Sequence, residues 1–150
     1  MQTLANIELV PASVPRTATF LEAARVLIGN RSPMIAVLDE RNAVIGFFGG
    51  DQVLRGLFPK YLEDLHHTAF ATEDVLLERA DPVLDDPVER HLEKPIVVDA
   101  DSSAMHVAER FLHSELPAIA VVAEDEFTGM LVRADFCRAM LEKSESLRSG

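Results

Sequence analysis

The side chains of this sequence that could act as nucleophiles lack the surroundings that catalysis needs. Cys137 is the only thiol, and it stands on a predicted helix among apolar or small residues, where a buried and inert cysteine is expected. No serine lies in the Gly-x-Ser-x-Gly sequence of a nucleophile elbow. Paired acids such as Asp85-Asp86 are explained by an acidic surface. The sequence therefore predicts that the protein is not an enzyme.

Metal-ligating residue types cluster once, in residues 63–67, which hold two acids and two adjacent histidines. Adjacent histidines point to different sides of a helix, and the sequence contains no His-x-x-x-His pair that would place two imidazoles on one face. His106 and His113 lie seven residues apart on another predicted helix. Solvent-exposed helix faces account for these histidines, so we predict no metal site and no required cofactor.

The 150 residues carry 14 basic and 25 acidic side chains, which gives a formal net charge of −11. Such a surface repels phosphate backbones and anionic lipid headgroups, so neither nucleic acid nor a membrane is an expected partner. A single cysteine excludes an internal disulfide framework. The first residues lack the pattern of a signal peptide, and no apolar run approaches the roughly 18 residues of a membrane span. We therefore expect a cytoplasmic protein.

The chain contains an internal repeat. Residues 7–38 align with 91–122 at an offset of 84, and 7 of the 32 pairs are identical, where roughly two are expected by chance. Both stretches place apolar residues on one helix face. Each predicted helix also begins at a hydroxyl that can cap it, Thr19 (with Glu22 three residues on) or Ser103. The period is too long for a solenoid, so the pattern indicates a duplicated domain.

Each copy is predicted to fold as β-α-β-β-α, with a hairpin between the second and third strands. The fold class is therefore α+β, with the first copy in residues 1–57 and the second in residues 91–150. Residues 58–90 form an acidic insert, in which we expect one or two helices interrupted by Pro82 and Pro87 and packed on the main body. The predicted elements are extended segments at 10–14 and 96–98, helices at 19–30 and 103–114, strands at 34–38, 44–48, 118–122 and 127–132, and closing helices from about 50 and 134.

The order of these elements resembles a pair of CBS domains. In each copy a helix is followed by a proline, an Ile-Ala-Val strand, a polar turn, an apolar-Gly-apolar-apolar strand and a closing helix. The resemblance covers residues 7–57 and 91–141. It implies two units packed with pseudo-twofold symmetry, whose sheets meet in a central cleft. Members of that family commonly bind adenosine-containing ligands there, namely AMP, ADP, ATP, NAD(H) or S-adenosylmethionine. They act as sensors rather than catalysts and often dimerise.

The resemblance therefore implies a regulatory module that binds an adenosine-type small molecule, forms a homodimer and signals in trans to an unknown protein partner. The alternative is a dimerisation or protein-interaction module whose nucleotide sites are degenerate and which binds no ligand.

The nucleotide motif of the family reads Gly-apolar-apolar-Thr/Ser-x-x-Asp. Its hydroxyl and the free N–H groups at the helix start hold phosphate, and its Asp accepts hydrogen bonds from ribose hydroxyls. In the second copy Gly129 and Asp135 match, and Val132 takes the place of the hydroxyl. Arg133 is expected to supply the missing phosphate contact. Alternatively, Asp135 is present because the helix macrodipole favours an acid at this position.

In the first copy Gly49 takes the place of the hydroxyl, Gly50 follows it, and Gln52 replaces the Asp. The two glycines would let backbone amides approach a phosphate closely; alternatively, they only shape the strand-to-helix turn. The resemblance also places the adenine between the first extended segment and the second strand of the same copy. The residues concerned are Ile96 and Ala118 in the second copy, and Val10 and Met34 in the first.

Overall fold

In a computed structural model, which describes residues 4–58 and 81–149, the chain folds into two copies of a β-α-β-β-α unit. Each copy contributes a three-stranded sheet, in which the first two strands are parallel and the last two form an antiparallel hairpin. The predicted α+β class with two repeats is thereby confirmed. The first copy comprises β1 (Ser13–Pro15), α1 (Phe20–Ile28), β2 (Met34–Leu38), β3 (Val44–Gly49) and α2 (Gly50–Leu57). The second comprises β4 (Val97–Asp99), α3 (Ala104–Leu112), β5 (Ala118–Ala123), β6 (Glu126–Val132) and α4 (Arg133–Ser149).

The first helix of each copy begins at its predicted cap. The Thr19 hydroxyl accepts a hydrogen bond from the Glu22 N–H, and the Glu22 carboxylate accepts one from the Thr19 N–H, both at 3.1 Å. These two bonds form a capping box. In the second copy the Ser103 hydroxyl accepts from the His106 N–H at 3.1 Å. Both helices are two residues shorter at their C-terminal ends than the sequence predicts.

The two sheets pack against each other, and their central strands are buried. Every residue of β2 and the first five residues of β5 are buried. Successive side chains of β5 point to opposite faces. Ala118 and Ala120 join the core of the first copy, whereas Ile119 and Val121 pack with the helices of their own copy. It follows that strand ends and helix starts, rather than strand centres, are available to line a cavity.

The end of the predicted acidic insert packs on the first copy. Val88 is fully buried, and its N–H donates to the backbone carbonyl of Ala18 at 2.8 Å. This stretch forms 3₁₀ turns at Asp81–Asp85 and Val88–Arg90 rather than an α-helix, because its two prolines lack the N–H that a continuous helix requires. Residues 59–80, where the rest of the predicted helices fall, lie outside the described residues.

Cys137 lies on the exposed side of α4, so the expectation of a buried thiol is wrong. The buried residue at this point is its neighbour Phe136, whose ring centroid lies 5.6 Å from that of Phe111. Because one residue turns a side chain about 100° around the helix axis, burial of Phe136 directs Cys137 away from the core.

Candidate functional site

Two short backbone bridges join the copies at equivalent positions. Val10 and Met130 exchange both backbone hydrogen bonds, at 2.9 and 2.7 Å. Glu93 and Phe47 do the same, at 2.8 and 2.9 Å. In each bridge, the segment that precedes the first strand of one copy pairs with the hairpin of the other copy. The copies are therefore related by pseudo-twofold symmetry, and each completes the hairpin of the other.

At each bridge a segment of one copy crosses over the hairpin of the other, and we call these two places the crossings. A glycine in each hairpin makes the crossing sterically feasible. A Cβ atom on Gly129 would lie 2.7 Å from the Cβ of Leu9, and one on Gly46 would lie 2.6 Å from the Cδ1 of Leu92. Any larger residue at either position would push the crossing segment away, so these glycines permit a close approach of two chain segments. Gly129 has this packing role and lines neither of the two cavities beside the crossings.

The crossings also fix which residues are equivalent. Val10 corresponds to Glu93, since each pairs with the hairpin of the other copy. Ala12 corresponds to Ile96, since the carbonyl of each accepts a hydrogen bond from the central residue of the second strand, at 3.1 and 2.9 Å. The second copy therefore contains one extra residue between these two points. The uninterrupted offset of 84 aligns Val10 with Lys94 instead, so the sequence repeat alone does not identify Glu93 as a site residue.

A cavity of about 930 Å³ opens where β3 meets α2. We call it the larger cavity. Its volume lies within the range of about 300–1,000 Å³ that is typical of small-molecule sites. Five of the eleven predicted site residues line it: Met34, Gly49, Gly50, Gln52 and Ile96. Pro33 and Asp51 of the first copy also line it, and the second copy supplies the rest of the wall through residues 93–95, Arg110 and residues 113–117.

The structure does not gather the predicted site residues of the second copy around one cavity. The resemblance places Ile96 with Asp135, but Ile96 lines the larger cavity together with Gly50 of the first copy. Asp135 lines a second cavity of about 470 Å³, the smaller cavity, together with Arg31 and residues 6–8 of the first copy. The cause is the crossing, because it carries the segment before each first strand to the helix start of the other copy.

Gln52 and Glu93 are joined by a hydrogen bond in the wall of the larger cavity. The Oε1 atom of Gln52 accepts from the Gly49 N–H at 2.8 Å, and its Nε2 atom donates to Oε2 of Glu93 at 3.1 Å. These bonds satisfy both ends of an amide that is only 7% exposed. The larger cavity thus holds a partly buried carboxylate beside the position that the motif gives to the ribose-binding acid.

The wall of the larger cavity is close to neutral. Three carboxylates and two permanent cations line it, with one histidine, so the formal charge of the wall is −1 while that of the chain is −11. An anionic ligand is therefore not excluded by the charge of the whole protein. The acids are Asp51, Glu93 and Glu115, and the basic residues are Lys94, Arg110 and His113.

In the smaller cavity, Asp135 is held by two arginines. Arg31 of the first copy forms a hydrogen-bonded ion pair with Oδ2, and Nη1 of Arg138 lies 3.3 Å from Oδ1. The hydrogen bond to Asp135 raises the pKa of Arg31 above its ordinary value. The Asp135 side chain is 15% exposed, and both of its oxygens already accept from the protein. Its predicted contact with a ribose would therefore compete with these arginines for the carboxylate.

Arg133 lines neither cavity. Its guanidinium donates to the backbone carbonyls of Phe111 and Ser114, both at 2.8 Å, and of Leu116 at 3.1 Å. It also lies over the Phe111 ring, 4.9 Å from the ring centroid. These carbonyls belong to the end of α3 and the turn after it, so Arg133 caps that helix. The Nε and Nη2 donors of Arg133, which is expected to contact a phosphate, are therefore engaged within the protein.

The other predicted site residues belong to the core. Ala118 is fully buried, and Val10 and Val132 are 7% and 8% exposed. Ala118 and Val132 pair with each other across the hairpin of the second copy. None of the three lines either cavity.

The described residues contain no group of three or more His, Cys, Asp or Glu side chains that is arranged to hold a metal ion. The acid and histidine cluster at 63–67 falls outside them, while His106 and His113 are both exposed on or beside α3. Within residues 4–58 and 81–149, no helix combines the length and the apolar content that crossing a membrane requires.

Residues 88–142, which span the whole second copy up to the middle of α4, match the family model of the CBS domain. This chain contains a CBS domain. The family resemblance inferred from the repeat is thereby confirmed for the second copy, and the first copy has the same elements in the same order.

Solved structures of CBS proteins share the fold of the whole chain. A CBS domain-containing protein of unknown function from Kribbella flavida is 23% identical, with a TM-score of 0.78 over 94% of this chain and 99% of that one. A CBS domain protein from Pyrobaculum aerophilum, complexed with AMP, is 20% identical, with a TM-score of 0.68 over 97% and 99%. A CBS domain pair/ACT domain protein from Thermotoga maritima is 18% identical, with a TM-score of 0.67 over 95% and 98%. No curated protein sequence matches the chain.

Proposed function

We propose that this CBS pair is a regulatory module that binds an adenosine-type small molecule in its larger cavity and signals in trans to a protein partner. The observation that carries the proposal is the gathering of five predicted ligand residues, from both copies, around one cavity of ligand size. A ligand that bridges two copies favours one arrangement of them over others, and such a shift is how a sensor communicates binding.

The candidate ligands are AMP, ADP, ATP, NAD(H) and S-adenosylmethionine. The AMP complex of the Pyrobaculum aerophilum protein supports an adenine nucleotide, and the nearly neutral cavity wall admits an anion. Ser114 adds a polar group to this wall, since its hydroxyl is buried and has no hydrogen-bond partner among the described residues. A buried polar atom without a partner costs about 1–3 kcal/mol, so a ligand that bonds to this hydroxyl gains affinity.

The proposal requires no cofactor and no catalytic step. It places the protein in the cytoplasm, where adenine nucleotides are abundant, and gives it a protein partner that responds to the ligand-bound form.

The proposal is tested by thermal unfolding with each of the five ligands and with a variant that fills the larger cavity. Gly50 is exposed, and a Cβ atom there would meet nothing within 4 Å, so Gly50→Trp places an indole in the cavity without backbone strain. Ala134→Trp is the matched control, since it adds the same ring near the helix start of the second copy, outside both cavities.

Ligand at a hundred times its Kd is expected to stabilise the wild-type protein by about 2.7 kcal/mol. Ala134→Trp should retain this stabilisation, and Gly50→Trp should lose it. A flat response of the wild-type protein to all five ligands would refute the proposal, and an equal response of the two tryptophan variants would place the ligand elsewhere.

A second candidate function is dimerisation without a ligand. Ile28 and Leu112 occupy equivalent positions at the ends of α1 and α3 and are 79% and 80% exposed, and Met105 on α3 is 83% exposed. Large apolar side chains repeated at equivalent places on both copies are a feature of symmetric interfaces. A homodimer formed through these helices is compatible with ligand binding in the larger cavity.

Light scattering after size exclusion tests this second function. The wild-type protein is expected to be a dimer, and the double variant Ile28→Glu and Leu112→Glu a monomer with an unchanged far-ultraviolet spectrum. A wild-type protein that remains monomeric at high concentration would rule out the homodimer.

A further inference from the structure

Gln52 stands at the motif position of the ribose-binding acid, but its amide is already committed. Its oxygen accepts from the Gly49 N–H, and its nitrogen donates to Oε2 of Glu93. The Gly49 N–H can only donate, so it fixes which end of the amide is the oxygen and turns the NH₂ group toward Glu93. Gln52 therefore acts here as a support that orients a carboxylate.

Glu93 presents the carboxylate that Gln52 lacks. Its backbone is fixed by two hydrogen bonds to Phe47, and its Oε2 atom is held by Gln52 at 3.1 Å. Its Oε1 atom has no partner among residues 4–58 and 81–149, and the residue lines the larger cavity. An ionised carboxylate is an acceptor only, and it forms its strongest hydrogen bonds with O–H and N–H donors.

The two halves of the duplicated cleft have exchanged the place of their acid. In the larger cavity the helix position holds Gln52 and the crossing position holds Glu93. At the other bridge, the helix position holds Asp135 of the second copy, and the crossing position holds the apolar Val10 of the first copy. Each pair of helix and crossing positions thus carries one carboxylate. It lies on the crossing segment in the larger cavity and on the helix at the other bridge. Glu93 keeps one oxygen without a partner among the described residues, whereas both oxygens of Asp135 are paired with arginines.

We propose that Glu93, oriented by Gln52, accepts the hydrogen bonds of the ribose hydroxyls and makes the larger cavity selective for adenosine compounds with an unmodified ribose. This inference rests on the proposed function, since it assigns a part of the same cavity. A 2′-deoxyribose removes one donor and leaves the carboxylate without its partner. A 2′-phosphate places a dianion against the carboxylate and is repelled.

The test measures the affinities of adenosine, 2′-deoxyadenosine and 3′-deoxyadenosine by calorimetry. Because a hydrogen bond to a charged group is at stake, wild-type protein is expected to bind adenosine roughly 10- to 100-fold more tightly than the weaker of the two deoxynucleosides. Glu93→Gln retains the shape of the side chain and should reduce this ratio to about threefold or less. Glu109→Gln removes an exposed acid of α3 that lines neither cavity and should leave the ratio unchanged.

A comparison of NADH with NADPH supplies a measurement on the wild-type protein alone, independent of whether Glu93→Gln folds. NADPH is expected to bind at least about tenfold more weakly. The role of Glu93 would be overturned if adenosine and both deoxynucleosides bound equally, or if NADH and NADPH did. It would also be overturned if Glu93→Gln kept the wild-type ratio of adenosine to deoxynucleoside affinity. Each of these results would leave the proposed function intact. Failure of the wild-type protein to bind adenosine and all five ligands of the panel would overturn both.

Discussion

Gly129 lies directly beneath Leu9, and the side chain that it lacks is what allows the first copy to cross the hairpin of the second. A Cβ atom at Gly129 would lie 2.7 Å from the Leu9 Cβ. The backbone bridge between Val10 and Met130 adjoins this contact, with hydrogen bonds of 2.9 and 2.7 Å. The same arrangement recurs between Gly46 and Leu92, so the contact follows the pseudo-twofold symmetry of the two copies.

Replacing Gly129 by alanine is therefore expected to destabilise the protein. The added methyl group overlaps the Leu9 Cβ, which is fixed to the backbone and cannot rotate away, so the crossing segment must shift. Overpacking of this kind costs about 1–3 kcal/mol. Urea unfolding at neutral pH measures the free energy of unfolding. Gly50→Ala is the control, because a Cβ atom there meets nothing within 4 Å, and it should be neutral or stabilising. Equal free energies for the two variants would contradict the steric account.

The elements of each copy were predictable because local patterns determine them. The strand at 34–38 and the Thr19 capping box follow from residues within a few positions of each other, and both occur as predicted. The site depends on distant contacts. Glu93 is identified as a site residue by the crossing, because only the backbone pairing shows that one extra residue precedes β4. The carbonyls that Arg133 caps lie 17 to 22 residues earlier in the chain, beyond the reach of a local pattern.

Removing the Arg133 side chain is expected to loosen the end of α3. In partly buried surroundings, the carbonyls of Ser114 and Leu116 lose their guanidinium donor, whereas that of Phe111 keeps the Ser114 N–H at 3.2 Å. We expect Arg133→Ala to lose about 2 kcal/mol in the free energy of unfolding, since partly buried groups are left without partners. Arg133→Lys should recover little, because an ammonium group lacks the planar fork that reaches several carbonyls. Arg148→Ala, at the exposed end of α4, is the control. Hydrogen exchange should accelerate in residues 111–116 of Arg133→Ala only; unchanged exchange there would contradict the capping role.

Loss of the Thr19 hydroxyl tests the capping box. Thr19→Ala leaves the Glu22 N–H without its acceptor and is expected to cost about 1 kcal/mol, as measured for caps of this type. Thr17→Ala, two residues earlier at an exposed position, should change the free energy of unfolding by less than about 0.5 kcal/mol. Both are measured by urea unfolding. Similar effects of the two substitutions would argue against a specific cap.

Asp39 is expected to make the stability depend on acid pH. Its Oδ1 atom accepts from the backbone N–H groups of Ala43 and Arg41 at 3.0 and 2.8 Å, and these bonds hold the pKa of Asp39 below its ordinary value of 3.8. A lowered pKa in the folded state means that the unfolded state binds more protons, so stability rises with pH. The contribution is complete above the ordinary pKa and is lost as the pH falls through the lower folded value. Asp39→Asn removes it.

Urea unfolding of the wild-type and Asp39→Asn proteins between about pH 6 and about pH 3 measures this difference. The wild-type protein should be the more stable at the upper end, and the two curves should converge at the lower end. Glu40→Gln, at the exposed neighbouring position, should run parallel to the wild type. A difference that stays constant across the range would show that charge on Asp39 is not its source.

The ion pairs of Asp135 predict that the two halves of the cleft are unequal in binding. Both oxygens of Asp135 already accept from Arg31 and Arg138, whereas the larger cavity leaves one oxygen of Glu93 free. Calorimetry of the wild-type protein should therefore give one adenosine per chain. Asp135→Asn should keep that stoichiometry and change the affinity by less than about twofold. A stoichiometry of two, or a large loss of affinity in Asp135→Asn, would show that the smaller cavity binds as well and that a ligand displaces Arg31 there.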